Sequence, residues 1–195
     1  MIKNTVLLNF ERSIDAKKRF MSDNEALSQF SMAVDMIISK YMGGGRLYVA
    51  GNGGSAADAQ HLVAEFISKL SRTRGPLPAE ALTVDSSVIT SIANDYGYEY
   101  VFSRQLEAKA FKKDIFLGLT TSGSSKNIIQ SLKTCKNLEI NSVVFTGHDG
   151  GECKQLADFC IIVPSLSTVE IQEVHIVLCH TLCELVESHL FPTIS

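Results

Sequence analysis

A chain of 195 residues, 45% of them hydrophobic, is long enough to close one α/β domain around a full core and short for two independent domains. Its formal net charge of −3, with lysines and arginines dispersed and no basic run, argues against nucleic acid or an anionic membrane surface as partner, leaving a small molecule as the default ligand. The five cysteines are odd in number, lack Cys-x-x-Cys spacing and sit mostly in apolar runs, as expected of reduced thiols in a cytoplasm rather than of a disulfide framework.

The segment Met1 to Phe10 has an apolar patch, but it is too short and too soon interrupted by Glu11 and Arg12 for a secretory signal, and no segment reaches transmembrane length. From Ser13 to Met42, Leu27, Phe30, Val34, Ile37, Ile38 and Tyr41 recur at helical steps and Gly43-Gly44-Gly45 closes the stretch, which predicts one or two helices. Strands and helices then alternate: strand 46–50, helix 56–70, strand 79–84, helix 86–93, helix 99–111, strand 115–119, helix 126–135, strand 142–145, a short helix 153–157, strand 160–163 and a long final helix from Thr168 to Leu190. Short apolar strands separated by helices predict a parallel sheet covered on both faces, with ligands at the carboxyl ends of its strands. Arg74-Gly75-Pro76-Leu77-Pro78 reads as a loop inside the domain.

The most informative stretch is Gly51-Asn52-Gly53-Gly54-Ser55, at the end of the first strand, followed on one helix by His61 and Glu65. The glycines permit a tight turn, and Ser55 sits where free helix N–H groups favour an anion. His61 and Glu65, four residues apart, share a helix face and can bind a divalent metal together or act as an acid/base pair. A second strand end, Leu119-Thr120-Thr121-Ser122-Gly123-Ser124-Ser125-Lys126-Asn127, again runs through hydroxyls into a helix start and reads as a second phosphate cradle. Gly51-x-Gly53-x-x-Ala56 also meets a weak form of the dinucleotide fingerprint, but Asp85 lies well beyond the roughly 20-residue offset of its ribose acid. In the final helix Gln172 and His180 point about 80° apart, so their spacing alone does not define a site. The stripe His175, Cys179, Cys183 has zinc-ligand residue types but reads better as core.

Gly51-Asn52-Gly53-Gly54-Ser55, His61-x-x-x-Glu65, Asn94-Asp95-Tyr96-Gly97, Phe102-Ser103-Arg104-Gln105, Thr121-Ser122-Gly123, Thr146-Gly147-His148-Asp149-Gly150-Gly151 and Ile171-Gln172-Glu173-x-His175 with His180 together resemble the sedoheptulose 7-phosphate isomerase (phosphoheptose isomerase) family of the sugar isomerase (SIS) domain superfamily, over nearly the whole chain. The resemblance implies a single SIS domain over 1–195, a flavodoxin-like or Rossmann-like three-layer sandwich with a five-stranded parallel sheet. It further implies N-terminal helices (1–43) packed on the domain and at an oligomer interface, and a homotetramer with active sites between subunits. The implied reaction takes sedoheptulose 7-phosphate through an enediol to D-glycero-D-manno-heptose 7-phosphate, the first step toward nucleotide-activated heptose for bacterial lipopolysaccharide or related glycans. Carried over by position, the zinc ligands fall on His61, Glu65, Gln172 and His180, and the acid/base residues on Glu65 and His180. The sugar phosphate lies against Ser55, Thr120, Ser122 and Ser125, with Asn52, Gly53, Gly54, Glu65, Asn94, Asp95, Thr121 and Gln172 completing the pocket.

A carboxylate and an imidazole suit a proton shuttle between carbons 1 and 2, and a metal stabilises enediolate oxygens. Giving Glu65 and His180 both ligation and proton transfer implies that one ligand is loosely held or displaced by substrate. Thr120 stands where many of these isomerases have serine, which keeps the hydroxyl, and Leu166 to Glu170 is less like the family. The alternative is a non-catalytic SIS protein that binds the replication initiator DnaA or senses a sugar phosphate. The intact Glu65 and His180 favour the enzyme.

Overall fold

In the computed structural model, which describes residues 1–192, two N-terminal helices, α1 (Ile2–Met21) and α2 (Asn24–Met42), precede a five-stranded sheet. The sheet elements are β1 (Leu47–Gly51), β2 (Ala79–Ala81), β3 (Ile115–Leu119), β4 (Asn141–Thr146) and β5 (Phe159–Ile162). Between and after them come α3 (Gly54–Ile67), α4 (Ser86–Asp95), α5 (Ser103–Lys109), α6 (Lys126–Leu138), the short α7 (Cys153–Leu156) and α8 (Thr168–Leu190). Every strand pair is parallel and the order is β2-β1-β3-β4-β5, the doubly wound arrangement expected.

Burial follows the sheet. β1 and β3 are covered on both faces and buried throughout, whereas the edge strands β2 and β5 are only partly covered. On one face α2, α3 and α8 close a core around Val34, Ile37, Leu62, Phe66, Val174 and Leu182. On the other, α5 and α6 pack Leu106, Ile128 and Leu132 against Tyr48, Phe116 and Val144. Among the described residues no helix is long and apolar enough to cross a membrane.

Several boundaries differ from the sequence reading for local reasons. Helix α1 begins at Ile2, not near Ser13, and α2 starts afresh where the Asp23 carboxylate accepts the Ala26 amide as an N-cap. The strand expected over 79–84 pairs only from Ala79 to Ala81, because Asp85 then caps α4 through Val88 N. The helix expected over 99–111 is split: Gly97, at φ 105°, feeds a 3₁₀ turn at Tyr98–Tyr100, and α5 starts at Ser103. Cys179 and Cys183 are core residues, as their apolar neighbours indicated.

His175 is fully buried, with Nε2 placed 3.2 Å from the Thr146 carbonyl to donate to it, and burial lowers its pKa to about 4. The native ring is therefore neutral at pH values where the unfolded one, near 6.5, takes a proton, so stability falls as pH drops from about 6.5 to 4. The full loss is about 3 kcal/mol. Thr146 O also accepts from Val163 N, so His175→Phe leaves no bare carbonyl. It is expected to flatten the pH dependence of the unfolding midpoint in this window, and a slope equal to wild type would remove His175 as the cause.

Candidate active site

The strand order reverses between β1 and β3, and the register pairs Gly51 with Leu119, so the two hydroxyl-bearing turns leave the sheet side by side at its carboxyl edge. Gly53 turns the chain at φ 57°, and Gly54 is held small by its neighbour, since a Cβ there would lie 2.6 Å from Gln172 Nε2. In the second turn Gly123, at φ 66°, packs so closely on Gly150 that a Cβ would meet its carbonyl at 2.1 Å.

The helix starts at these turns carry no side-chain cap, as is also true of α1, α5 and α7. Side chains of Asp23, Asp85 and Ser167 cap α2, α4 and α8, but neither Gly53 at α3 nor Ser125 at α6 caps its helix through a side chain. The Ser125 hydroxyl instead lies 3.0 Å from Thr120 Oγ1. Ser55 N and Ala56 N in α3 and Ile128 N in α6 already bond backbone carbonyls of the turns, so among the described residues the amides of Gly54, Lys126 and Asn127 are the ones left for an anion, beside buried hydroxyls on Ser55 and Thr120. Ser122 is exposed on the loop and its Oγ accepts Ser124 N; Thr121 is half-buried.

Two residues to which the sequence reading gave no role, Asn127 and Tyr98, tie these turns together. The Asn52 and Asn127 amides exchange hydrogen bonds of 2.9 and 2.8 Å, and the Tyr98 hydroxyl donates to Asn52 Oδ1 at 3.2 Å. Asn127 is buried in the first turn of α6, two residues beyond the Ser/Thr run, and only its partner across the sheet gives it meaning. A cavity of about 280 Å³ beside them is lined by Asn52, Tyr98, Glu99, Ser125, Lys126 and Asn127. A larger one of about 480 Å³, between the start of α2 and the β5 edge, holds none of the expected site residues.

The chemistry-bearing groups meet on the seam of α3 and α8. His61 Nε2 lies 2.9 Å from His180 Nε2, with the rings edge-on at 68°, and Glu65 Oε1 is 3.5 Å from His61 Nε2. At the head of the seam Gln172 Nε2 donates to Ser55 Oγ at 3.4 Å, joining the seam to the phosphate turn. Gln172 and His180 therefore serve one neighbourhood despite their poor angular match, because α3 runs beside α8 and meets each in turn. Asn94 and Asp95 bond each other at 2.8 Å on the exposed end of α4, and among the described residues no hydrogen bond joins either to the two turns.

Two imidazoles and a carboxylate are the donor types that bind a zinc-class ion, with the Gln172 amide oxygen as a fourth. Among the described residues no three His, Cys, Asp or Glu side chains already stand in metal-holding geometry. The 2.9 Å separation is that of a hydrogen bond, shorter than the about 3.3 Å between two nitrogens bound tetrahedrally at 2.0–2.1 Å. The donor types fit the ion, while the two rings themselves stand as a hydrogen-bonded pair.

Comparison with known proteins agrees with this architecture. A family model described as the SIS domain matches residues 9–147. Phosphoheptose isomerase of Clostridium acetobutylicum is 44% identical over 190 residues, covering 97% of both chains, and that of Aneurinibacillus thermoaerophilus is 46% identical over 94% of this chain and 92% of its own. The solved phosphoheptose isomerase of Neisseria gonorrhoeae superposes with a TM-score of 0.90 at 35% identity, covering 96% of this chain and all of that one. The fold and site define a SIS domain protein. The chain belongs to the phosphoheptose isomerase family.

The Asn52–Asn127 pair yields a test. Asn127→Leu keeps the volume but leaves the Asn52 amide without its buried partner, an expected destabilisation of about 1–3 kcal/mol in chemical unfolding. Because the pair holds the two phosphate turns in register, KM for a sugar phosphate is expected to rise more than kcat falls. An unchanged KM in the folded variant would deny the pair that role.

Proposed function

We propose that the chain is an aldose–ketose isomerase that converts sedoheptulose 7-phosphate to D-glycero-D-manno-heptose 7-phosphate through an enediol. The observation that carries this reading is the convergence of His61, Glu65 and His180 beside the paired, uncapped helix starts at the sheet's switch point. The family relationship to named phosphoheptose isomerases supports it independently.

In this reading the phosphate rests on the first-turn amides of α3 and α6 and on the hydroxyls of Ser55, Thr120, Ser122 and Ser125, with Thr121, Gly53 and Gly54 shaping the turn. Asn52, held by Asn127 and Tyr98, presents its backbone to the sugar. Glu65 and His180 carry the proton from carbon 1 to carbon 2 of the open-chain ketose. The bond between His61 and His180 fixes which ring nitrogen of His180 is engaged, since one Nε2 must donate and the other accept. His61, Glu65, Gln172 and His180 are the residues that would hold zinc, which would supply Lewis-acid polarisation of the carbonyl and stabilisation of the enediolate oxygens.

We further propose a homotetramer with sites between subunits, in the cytoplasm, feeding heptose into lipopolysaccharide or related glycans. Two features support assembly: α1 leaves Val6, Leu7, Phe10 and Ile14 exposed, and α4 buries no residue. A second copy covering α4 would bring Asn94 and Asp95 into a site they do not reach alone. The DnaA-binding reading is not favoured, because an interaction protein has no use for an acid/base pair aimed at a phosphate cradle.

Turnover of sedoheptulose 7-phosphate, followed by NMR of the aldose, tests the reading. Activity is expected to fail after chelation and return with added zinc; turnover indifferent to chelation would remove the metal and keep the enzyme. Glu65→Gln is expected to stay folded and bind phosphate while kcat falls by roughly 10²–10⁴. Retained turnover in that variant would exclude Glu65 as a proton carrier.

A further inference from the structure

Below the site, the α3–α8 seam is closed by a buried ion pair that the reaction does not use. Arg74, from the Gly/Pro loop after α3, places NH2 2.9 Å and Nε 2.9 Å from the Glu187 carboxylate of α8, and the two side chains are 0% and 1% exposed. The same guanidinium donates to the carbonyls of Glu65 at 2.8 Å and Phe66 at 2.8 Å, in the last turn of α3, where helix carbonyls lack intrahelical partners. Glu187 in turn accepts Leu70 N at 3.0 Å and Ser71 N at 3.4 Å, from the chain leaving α3. Burial pushes the Glu187 carboxyl up, but these amides and Arg74 outweigh it and hold the pKa below the ordinary carboxylate value.

The placement is specific. One end of the pair grips the backbone of Glu65 itself, and the other sits on α8 seven residues, two turns, beyond His180 and so on the same side of that helix. We propose that Arg74 and Glu187 are positioning residues that set the spacing between Glu65 and His180, and hence the rate of proton transfer. The proposal rests on the isomerase reading for its kinetic consequence, but the strut has a signature independent of activity.

Replacing a buried ion pair by apolar groups of similar size is often neutral for stability, whereas removing one partner is not. The double variant Arg74→Met/Glu187→Met leaves no lone buried charge, although it withdraws the partners of Glu65 O, Leu70 N and Ser71 N, each at a cost in stability; Arg74→Lys, which keeps the charge but not the fork that spans two carbonyls and a carboxylate, is the second probe. Both are expected to unfold cooperatively, bind inorganic phosphate within threefold of wild type, keep KM within threefold and lose at least thirtyfold in kcat. Amide exchange at Ser68, whose N–H bonds Ala64 O in the last turn of α3, is expected to accelerate at least tenfold while β1 and β3 stay protected. A folded variant with wild-type kcat, a loss that follows KM and phosphate affinity instead, unchanged exchange at Ser68, or failure of both variants to fold would each overturn the positioning role. Wild-type protein that binds phosphate but does not turn over sedoheptulose 7-phosphate would overturn the isomerase reading, and exchange at Ser68 would then decide the strut alone.

Discussion

The seam between α3 and α8 is the constraint on which the rest depends. The two helices run alongside in the same direction, and their contacts form a ladder: Gln172 on Ser55, His180 on His61, and Glu187 on Leu70, Ser71 and Arg74. Successive rungs on α8 are eight and seven residues apart, about two turns each. Between the rungs Leu62, Phe66, Val174, Leu178 and Leu182 exclude water, so the polar groups meet at fixed heights on an apolar wall. A shift of α8 by one residue, about 1.5 Å along its axis, would misplace all three rungs together.

The second organising fact is the sheet's reversal between β1 and β3. Parallel strands buried on both faces leave their carboxyl ends as the place where chain can turn outward, and the reversal opens a crevice between two such turns. The amide pair of Asn52 and Asn127 bridges that crevice and fixes the distance between two helix starts. A phosphate held by amides and hydroxyls rather than by several arginines is bound with modest charge, which suits a substrate that must enter and leave many times. In the proposed isomerase the sheet supplies the phosphate end of the site and the helix seam the reacting end; Ser55, at the head of α3 and in contact with Gln172, joins the two.

What the sequence disclosed and what it withheld divide along a physical line. The glycine turn, the hydroxyl turn, His61 with Glu65, and the helix from Thr168 to Leu190 are local patterns, set by spacing along the chain, and the structure places them as expected. The roles of Asn127, Tyr98, Arg74 and Glu187 depend on partners between 46 and 117 residues away, which no local spacing encodes. The Arg74 loop looked like punctuation because glycine and proline mark it, while the guanidinium that closes the seam carries no periodic signal. The start of α1 was missed for a related reason: the apolar side chains from Val6 to Ile14 lack a covering partner within the chain, so their pattern does not resemble an ordinary amphipathic helix on its own core.

The bond between His61 and His180 bears on the tension between ligation and proton transfer. With the rings at hydrogen-bond distance, Nε2 of one donates and Nε2 of the other accepts, so His180 shares a hydrogen bond with a neighbour whose side chain also faces Glu65. α3 is gripped at its first turn by Gln172 and at its last by Arg74, and His61 and Glu65 lie between those two clamps. In the proposed isomerase, His61 and Glu65 thus change partners by side-chain rotation on a helix held at both ends, which is how one residue could serve as ligand and as acid/base group in turn.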